Sequence, residues 1–452
     1  MSPPELVDAP RMVRGWGRAT GSHSTVARPS GDQGWLDQLA ATGSRGLIAR
    51  GAGCGYGDAA QNAGGVVALT EVDIGPLTVA DRTVEVDAGV SLGALIRALA
   101  PLGWTLPVVP GTGRVTVGGA IAADVHGKNH RDCGTFGAHV REMSVLAPGR
   151  GLVTMGPRAD PDAFWATVGG LGLTGVIRRA RLELVPLESW SMRTVDTIAA
   201  DLTALLAALD DAATGSPHAV AWIDARRRGR SVGGGIVSAA QPATPSGVAR
   251  PRPGRAPLAG MPPLPGPGLA WPPLAAAANR ARLLGARLRP RRVQPLPDVL
   301  YPLDAVPYWP ALHGRRGLVQ YQFAVPYGAE SVLAAALVEA QRAGCPATLA
   351  VLKVFGAGNP GPLSFPQPGW SLALDFPADP ALAEVLDGLD ARVAAAGGRV
   401  YLVKDSRLRP DLLEAMYPQL PRWRAERAVL DPDQVMTSDL SRRLGLTGGR
   451  HA

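Results

Sequence analysis

The sequence predicts an α+β protein of two domains, and three observations carry that expectation. At 452 residues the chain is too long for one ordinary hydrophobic core. Two glycine-dense loops, 50–58 (RGAGCGYGD) and 110–130 (PGTGRVTVGGAIAADVHGKNH), are each entered from an apolar run. Beyond residue 319 the pattern reads strand–helix–strand–strand–helix–strand, the order of an antiparallel sheet covered by helices.

The elements follow in chain order. Residues 35–41 predict a short helix, and 46–50 (GLIAR) a strand running into the first glycine loop. Further strands are expected at 66–69 and at 83–86, where apolar and polar residues alternate. Residues 92–99 carry apolar side chains at helical spacing, and Pro101 closes them. The stretch 115–125 reads as mixed strand and glycine turn, 162–168 as a short helix. Alternation over 176–185 predicts a half-buried strand ending at Pro186. A helix is expected at 202–212. Then eleven of the thirty-three residues 241–273 are proline, a density no continuous helix or central strand survives. Residues 279–289 (NRARLLGARLR) predict a basic amphipathic helix, read either as a solvated charged face or as a surface for anionic lipid. Order resumes with strands at 319–325, 349–355, 371–376 and 399–403 and helices at 330–343 and 382–395. The domains expected are 1–187, 188–400 with a flexible insertion at about 242–300, and a C-terminal segment 401–452 returning to the first.

Composition narrows the function. The formal charge of +8 invites nucleic acid, but the excess is concentrated in clusters such as the six arginines of 280–292. No zinc finger, RNP-type motif or helix-turn-helix accompanies it, so nucleic-acid binding is not expected. Cys54, Cys133 and Cys345 form neither a disulfide framework nor a metal pair. No secretory pattern or membrane-spanning apolar stretch is seen, so the expected location is cytoplasmic or peripheral at the membrane.

The glycine loops point to a large phosphate-bearing nucleotide, because backbone N–H groups approach anionic oxygens where no Cβ intervenes. Residues 170–175 are a literal GxGxxG, but a helix precedes them and a strand follows, the reverse of the dinucleotide fingerprint. The GxGxxA at 55–60 follows a strand but leaves no room for a helix before Gly64 and Gly65. A P-loop and a GxSxG elbow are absent, and H-x₃-H at His126 and His130 is a weak metal signature.

Several blocks carry a resemblance: RGAGCGYGD, PGTGRVTVGGAIAADVHGKNH, FWATVGGLGLTG, LVQYQFAVP, VFGAGNPGPLSFPQPGW and YLVKDSR. Together they resemble the vanillyl-alcohol-oxidase/PCMH group of FAD flavoproteins, in particular its members that oxidise a polyprenyl-phosphoryl ribose. The resemblance runs from Gly15 to Leu444 and is lost across about 225–300. It implies a PCMH-type FAD domain beside an α+β substrate domain. It implies that Ala49, Arg50, Gly51, Ala52 and Gly53, with Cys54, Gly55, Tyr56, Gly57 and Asp58, wrap the FAD pyrophosphate. Gly111, Thr116, Val117, Gly118 and Gly119 would line the cofactor further along, followed by Ala123, Asp124, Val125 and His126. Ile177 and Tyr401 would touch its ends, although Ile177 and Ala123 also suit plain core positions. Cys54 stands where many of the group tether FAD through histidine, so non-covalent FAD is expected.

The implied reaction oxidises the 2′-hydroxyl of decaprenylphosphoryl ribose to a ketone, the first half of an epimerisation that supplies arabinose for cell-wall arabinan. An NADH-dependent ketoreductase would be the partner. Lys404, Tyr56 and His126 are the candidate catalytic residues, since burial lowers a lysine's pKa into a usable range for a base. Lys404 otherwise reads as a surface partner of Asp405. Lys128, Gln320, Gln322, His313, Asn359 and Trp370 are the implied substrate contacts. Gln320 and Gln322, two apart on one strand, share a face. Ala373 replaces a cysteine common in the subfamily, His313 an aromatic hydroxyl. These departures keep open an alditol or sugar oxidase that uses oxygen on a soluble substrate.

Overall fold

The computed structural model describes residues 9–71, 74–243, 271–306 and 309–447. Most of the proline-rich stretch predicted at 241–273 therefore lies outside the described residues. Its two ends are described: Pro242 closes the strand Gly235–Pro242, and Pro272 opens the helix Pro272–Leu288, where a missing N–H costs nothing.

The N-terminal part is built on two sheets. In the four-stranded sheet, Val66–Leu69 pairs in parallel with both Gly21–Ala27 and Leu47–Arg50. The five-stranded sheet is antiparallel and places Val176–Glu183 between Thr83–Asp87 and Val140–Ala147. Its alternating strands bury Val84, Val86, Ala180 and Leu182 and leave Glu85, Arg179 and Arg181 outside. The helix Leu92–Leu99 packs Leu92, Leu95, Ile96 and Leu99 onto this core, and the Ser91 side chain accepts from Ala94 N at 3.3 Å as its cap.

The predicted strand-and-turn mixture at 115–125 is instead a short helix, Val117–Ala122. Thr116 caps it, accepting from Gly119 N at 3.2 Å. Gly118 lets the helix press on Ala88, whose Cβ lies 3.0 Å from where a Cβ on Gly118 would stand. The GxGxxG at 170–175 sits between the helix Pro161–Thr167 and the strand Val176–Glu183, the order that excluded a dinucleotide fingerprint.

From Ser191 to Val400 the chain forms an eight-stranded sheet, antiparallel at every pair. The helices Leu202–Gly215, Glu330–Arg342 and Leu382–Ala395 share one core with Ala221, Leu352, Phe323, Leu372 and Leu374 of this sheet. On the opposite face register aligns Gln320 with Asp375, Gln322 with Ala373, and Ser371 with Lys353. That face is the floor of the site.

The strand predicted at 399–403 pairs only over Arg399–Val400. Tyr401 N still donates to Gln322 O at 2.8 Å, and the chain then coils into a 3₁₀ turn, Leu402–Lys404. The C-terminal stretch comes back to the first sheet: Thr437 N donates to Leu47 O at 2.9 Å, and Asp439 accepts from Ala63 N at 2.8 Å.

Candidate active site

Loop 50–58 and segment 401–407, far apart in sequence, close on each other. A Cβ on Gly57 would stand 1.6 Å from Asp405 O, so only glycine permits this contact. Arg443 fastens the same junction, with ion pairs at 2.9 Å to Asp58 and to Asp405. Asp405 is thus spent on Arg443, and Lys404 makes no surface pair with it. The Lys404 ammonium lies over the Tyr56 ring, 4.1 Å from its centroid.

The first loop is a donor set. Among the described residues, none of the backbone N–H groups from Gly51 to Gly57 donates to a protein acceptor. Gly53 holds φ at +66°, with the Arg50 guanidinium against it. Arg50 is anchored in turn on Ala60 O and Arg14 O, each at 2.8 Å. Above Gly111 there is open space, and its neighbours are pinned: Thr112 Oγ1 and Gly113 N donate to Asp304 at 2.7 and 2.8 Å. Gly51–Tyr56, Arg114, Val115, Gly118, Gly119, Ala122 and Ala123 keep accessible surface. Unpaired N–H donors beside glycine-walled space suit a pyrophosphate, so these residues fit FAD. Burial pushes the Cys54 thiol up to about 11, which keeps it protonated and a poor nucleophile for a covalent tether.

The floor is rich in amines. Lys404 is lowered to about 8 by burial, against the pull of Asp375 and Cys54. Lys353 is lowered to about 7, first by burial and then by Lys128 and Lys404. Burial also takes Lys128 to about 7, and its Nζ donates to Val299 O. Lys353 Nζ lies 3.3 Å from His126 Nδ1, and Gln322 Nε2 lies 3.0 Å from His126 Nε2 and 3.1 Å from Ser371 Oγ. Burial and the lysines hold His126 well below its usual range, so the ring is neutral. When Lys353 is protonated, Nδ1 accepts, Nε2–H donates, and the Gln322 amide must turn its oxygen to the ring. Gln320 Nε2 donates to Asp375 Oδ1 at 2.6 Å, and Trp309 Nε1 to Oδ2 at 3.3 Å. Burial raises Asp375 to about 6, so it is ionised at neutral pH. Burial and Asp375 push the Tyr56 phenol well up, which leaves it a proton donor and no base. Of these three amines, Lys404 is the one that stands over Tyr56 beside the donor loop.

The sequence-predicted residues thus divide. Tyr56, His126, Lys128, Gln320, Gln322 and Lys404 come together in one polar cluster joined through Lys353 and Asp375. Val117 and Ile177 are core residues beneath it, with Val125 buried beside them. Tyr401 is buried against Phe365 and donates to Ala123 O at 2.6 Å. Asp124, at φ +40°, is fully buried and accepts from Gly137 N, Asn359 Nδ2 and Ser364 Oγ. Asn359 is therefore a strut: its Nδ2 also donates to Thr135, and its Oδ1 accepts from Gly361 N. His313 is one layer back, 2.9 Å from Thr348 Oγ1 and edge-on to Trp309. Trp370 is not brought to this cluster. The pleat turns it to the helix-covered face, where its Nε1 donates to Glu330 at 2.9 Å. Lys353 and Asp375 were missed by the sequence reading. Each sits in a strand whose polar residue gains meaning only once register places it beside Ser371 or Gln320.

The description "FAD binding domain" matches residues 38–156, which contain the donor loop and the glycines of 110–130. With the amine-lined floor this defines the class: the chain is an FAD-dependent oxidoreductase of PCMH-type fold. It is 39% identical over 99% of its length to the decaprenylphosphoryl-β-D-ribose oxidase of Mycolicibacterium smegmatis, covering 100% of that protein. An uncharacterised protein of Streptomyces coelicolor is 43% identical over 370 residues and is covered completely. Rice L-galactono-1,4-lactone dehydrogenase 1 is 29% identical over 184 residues, 40% of this chain and 31% of that one. The chain belongs to the decaprenylphosphoryl-β-D-ribose oxidase family.

Proposed function

We propose that this protein oxidises the 2′-hydroxyl of decaprenylphosphoryl-β-D-ribose to the 2′-ketone, the first half of an epimerisation to the arabinose donor. The observation that carries the reading is Lys404. It is a buried amine with a lowered pKa, standing over Tyr56 where the donor loop meets the eight-stranded sheet. The full-length similarity to a relative named for this substrate supports it. FAD, when bound, supplies the hydride acceptor. Lys404 takes the hydroxyl proton, Gln320 and Gln322 orient the sugar from one strand, and His126 is fixed between Lys353 and Gln322. Lys128 and Lys353, when protonated, give the site a positive field suited to a phosphate diester. Loop 50–58 and Gly111 hold the cofactor non-covalently. An NADH-dependent ketoreductase reduces the ketone as partner, and the protein works peripherally at a membrane, where its lipid substrate resides.

Anaerobic mixing with a short-chain polyprenyl-phosphoryl ribose tests this. Bleaching of the flavin absorbance by that substrate, and by no free sugar, is the expected result. Peroxide formation with free polyols, without bleaching by the lipid sugar, overturns it in favour of a soluble-sugar oxidase.

A further inference from the structure

We propose that the outer face of the helix Pro272–Leu288 is the surface that seats this protein on an anionic lipid bilayer. The proposal rests on the lipid-substrate reading above. The helix has two apolar faces. Ala275, Asn279, Leu283 and Ala286 face inward, where Leu283 and Ala286 pack with Trp222, Ile236 and Ile198. Asn279 ties that side down by donating to Asp224 Oδ1 at 2.6 Å.

On the opposite side Leu274, Ala277, Ala281, Leu284 and Leu288 recur at alternating spacings of three and four residues, which is one stripe of a helix. All are exposed, Leu284 at 54% and Leu288 at 71%. Trp271, the residue before the first turn, is also exposed, at 56%. Among the described residues nothing covers this stripe.

Charge identifies the occupant. The helix holds no Asp or Glu. Arg280 and Arg287, seven apart, flank the stripe, and Arg289 follows. Among the described residues none of these arginines makes an ion pair, whereas Arg292 turns inward to Asp196. Apolar residues fringed by unpaired arginine fit acyl chains beneath anionic headgroups. A second copy set against this face about a two-fold axis would oppose arginine to arginine.

The surface also lies beside the site. One cross-strand row runs Gln322–Ala373–Val351–Trp222–Ile236–Ile198, from the site to the residues beneath the helix. At strand spacing, Trp222 is roughly 15 Å from Gln322. The strand Arg291–Pro295 leads directly into Leu296–Leu300, whose Val299 carbonyl holds Lys128. A bilayer at this face would therefore lie next to the site that takes the phosphate-linked sugar.

The test is co-sedimentation of the FAD-loaded protein with vesicles of phosphatidylglycerol in phosphatidylcholine, against phosphatidylcholine alone. Sedimentation only with the anionic vesicles is expected. Arg280→Ala and Arg287→Ala should each weaken it roughly fivefold, and Leu284→Glu/Leu288→Glu should abolish it. Flavin bleaching by a short-chain soluble substrate must stay at the wild-type rate in these variants, since none touches the site. Equal partitioning of wild type and variants, or no partitioning, overturns the proposal. So does a concentration-dependent dimer that Leu284→Glu/Leu288→Glu dissociates, which would assign the face to a second copy. Failure of bleaching in the wild type, with sedimentation intact, would overturn the substrate reading alone.

Discussion

Replacing Lys404 by alanine and following the reductive half-reaction against pH tests the chemistry most directly. An amine at the ordinary 10.5 is neutral in about one molecule in 3,000 at pH 7. Lowered to about 8, Lys404 is neutral in about one in eleven, a gain of roughly 300-fold in the form that accepts a proton. The sign then fixes the profile. The neutral base grows as pH rises through about 8, so anaerobic bleaching by the phosphoryl ribose should accelerate about tenfold between pH 7 and 9 and then level off. Asp375 favours the charged amine. Removing its charge with Asp375→Asn should move that limb to lower pH, while the loss of its hydrogen bond to Gln320 lowers the plateau. Lys404→Ala should keep yellow FAD, since the donor loop holds it, and lose about 10²–10⁴-fold in rate, the usual worth of a positioned base. Stopped-flow absorbance reads both. A rate that falls from pH 7 to 9 would mean that the cation is the active form. Either that profile or an undiminished Lys404→Ala rate would refute the assignment.

Three further outcomes follow from the geometry. Gly57→Ala drives a methyl into the Asp405 carbonyl and should part loop 50–58 from segment 401–407, so the protein is expected to purify without flavin or as aggregate, read by absorbance and gel filtration. Asn359→Leu leaves buried Asp124 short of one donor and should cost about 1–3 kcal/mol in a denaturant titration. Because Asn359 is a strut, KM for the sugar should stay near the wild-type value; a large rise in KM with unchanged stability would return it to the substrate. Acid precipitation should release all the flavin into the supernatant, and Cys54→Ser should behave identically, because the protonated Cys54 thiol forms no bond to it.

What the sequence disclosed follows the range of the interactions involved. Alternation at 83–86 and 176–185, and apolar spacing at 92–99, are local patterns, and the elements there lie within a few residues of their expected limits. The short helix Val117–Ala122 reads as a turn because of its glycines: its Thr116 cap is a local signal, but the contact of Gly118 with Ala88 that the helix makes is tertiary. The site shows the same division more sharply. The resemblance implied Trp370 as a substrate contact, yet in a pleated strand Trp370 faces away from Ser371 and Ala373. Lys353 was hidden in LAVLKVF, an apolar run until register sets it opposite Ser371 and within reach of His126. Lys404 is the instructive case. Continued pairing would have carried the strand of Arg399 and Val400 onward, alternating its side chains across the sheet edge. The 3₁₀ turn at Leu402–Lys404 breaks that alternation and swings the amine over Tyr56. The turn is held in place because Asp405 is claimed by Arg443 and crowded by Gly57, so a contact spanning nearly the whole chain determines where one proton acceptor stands.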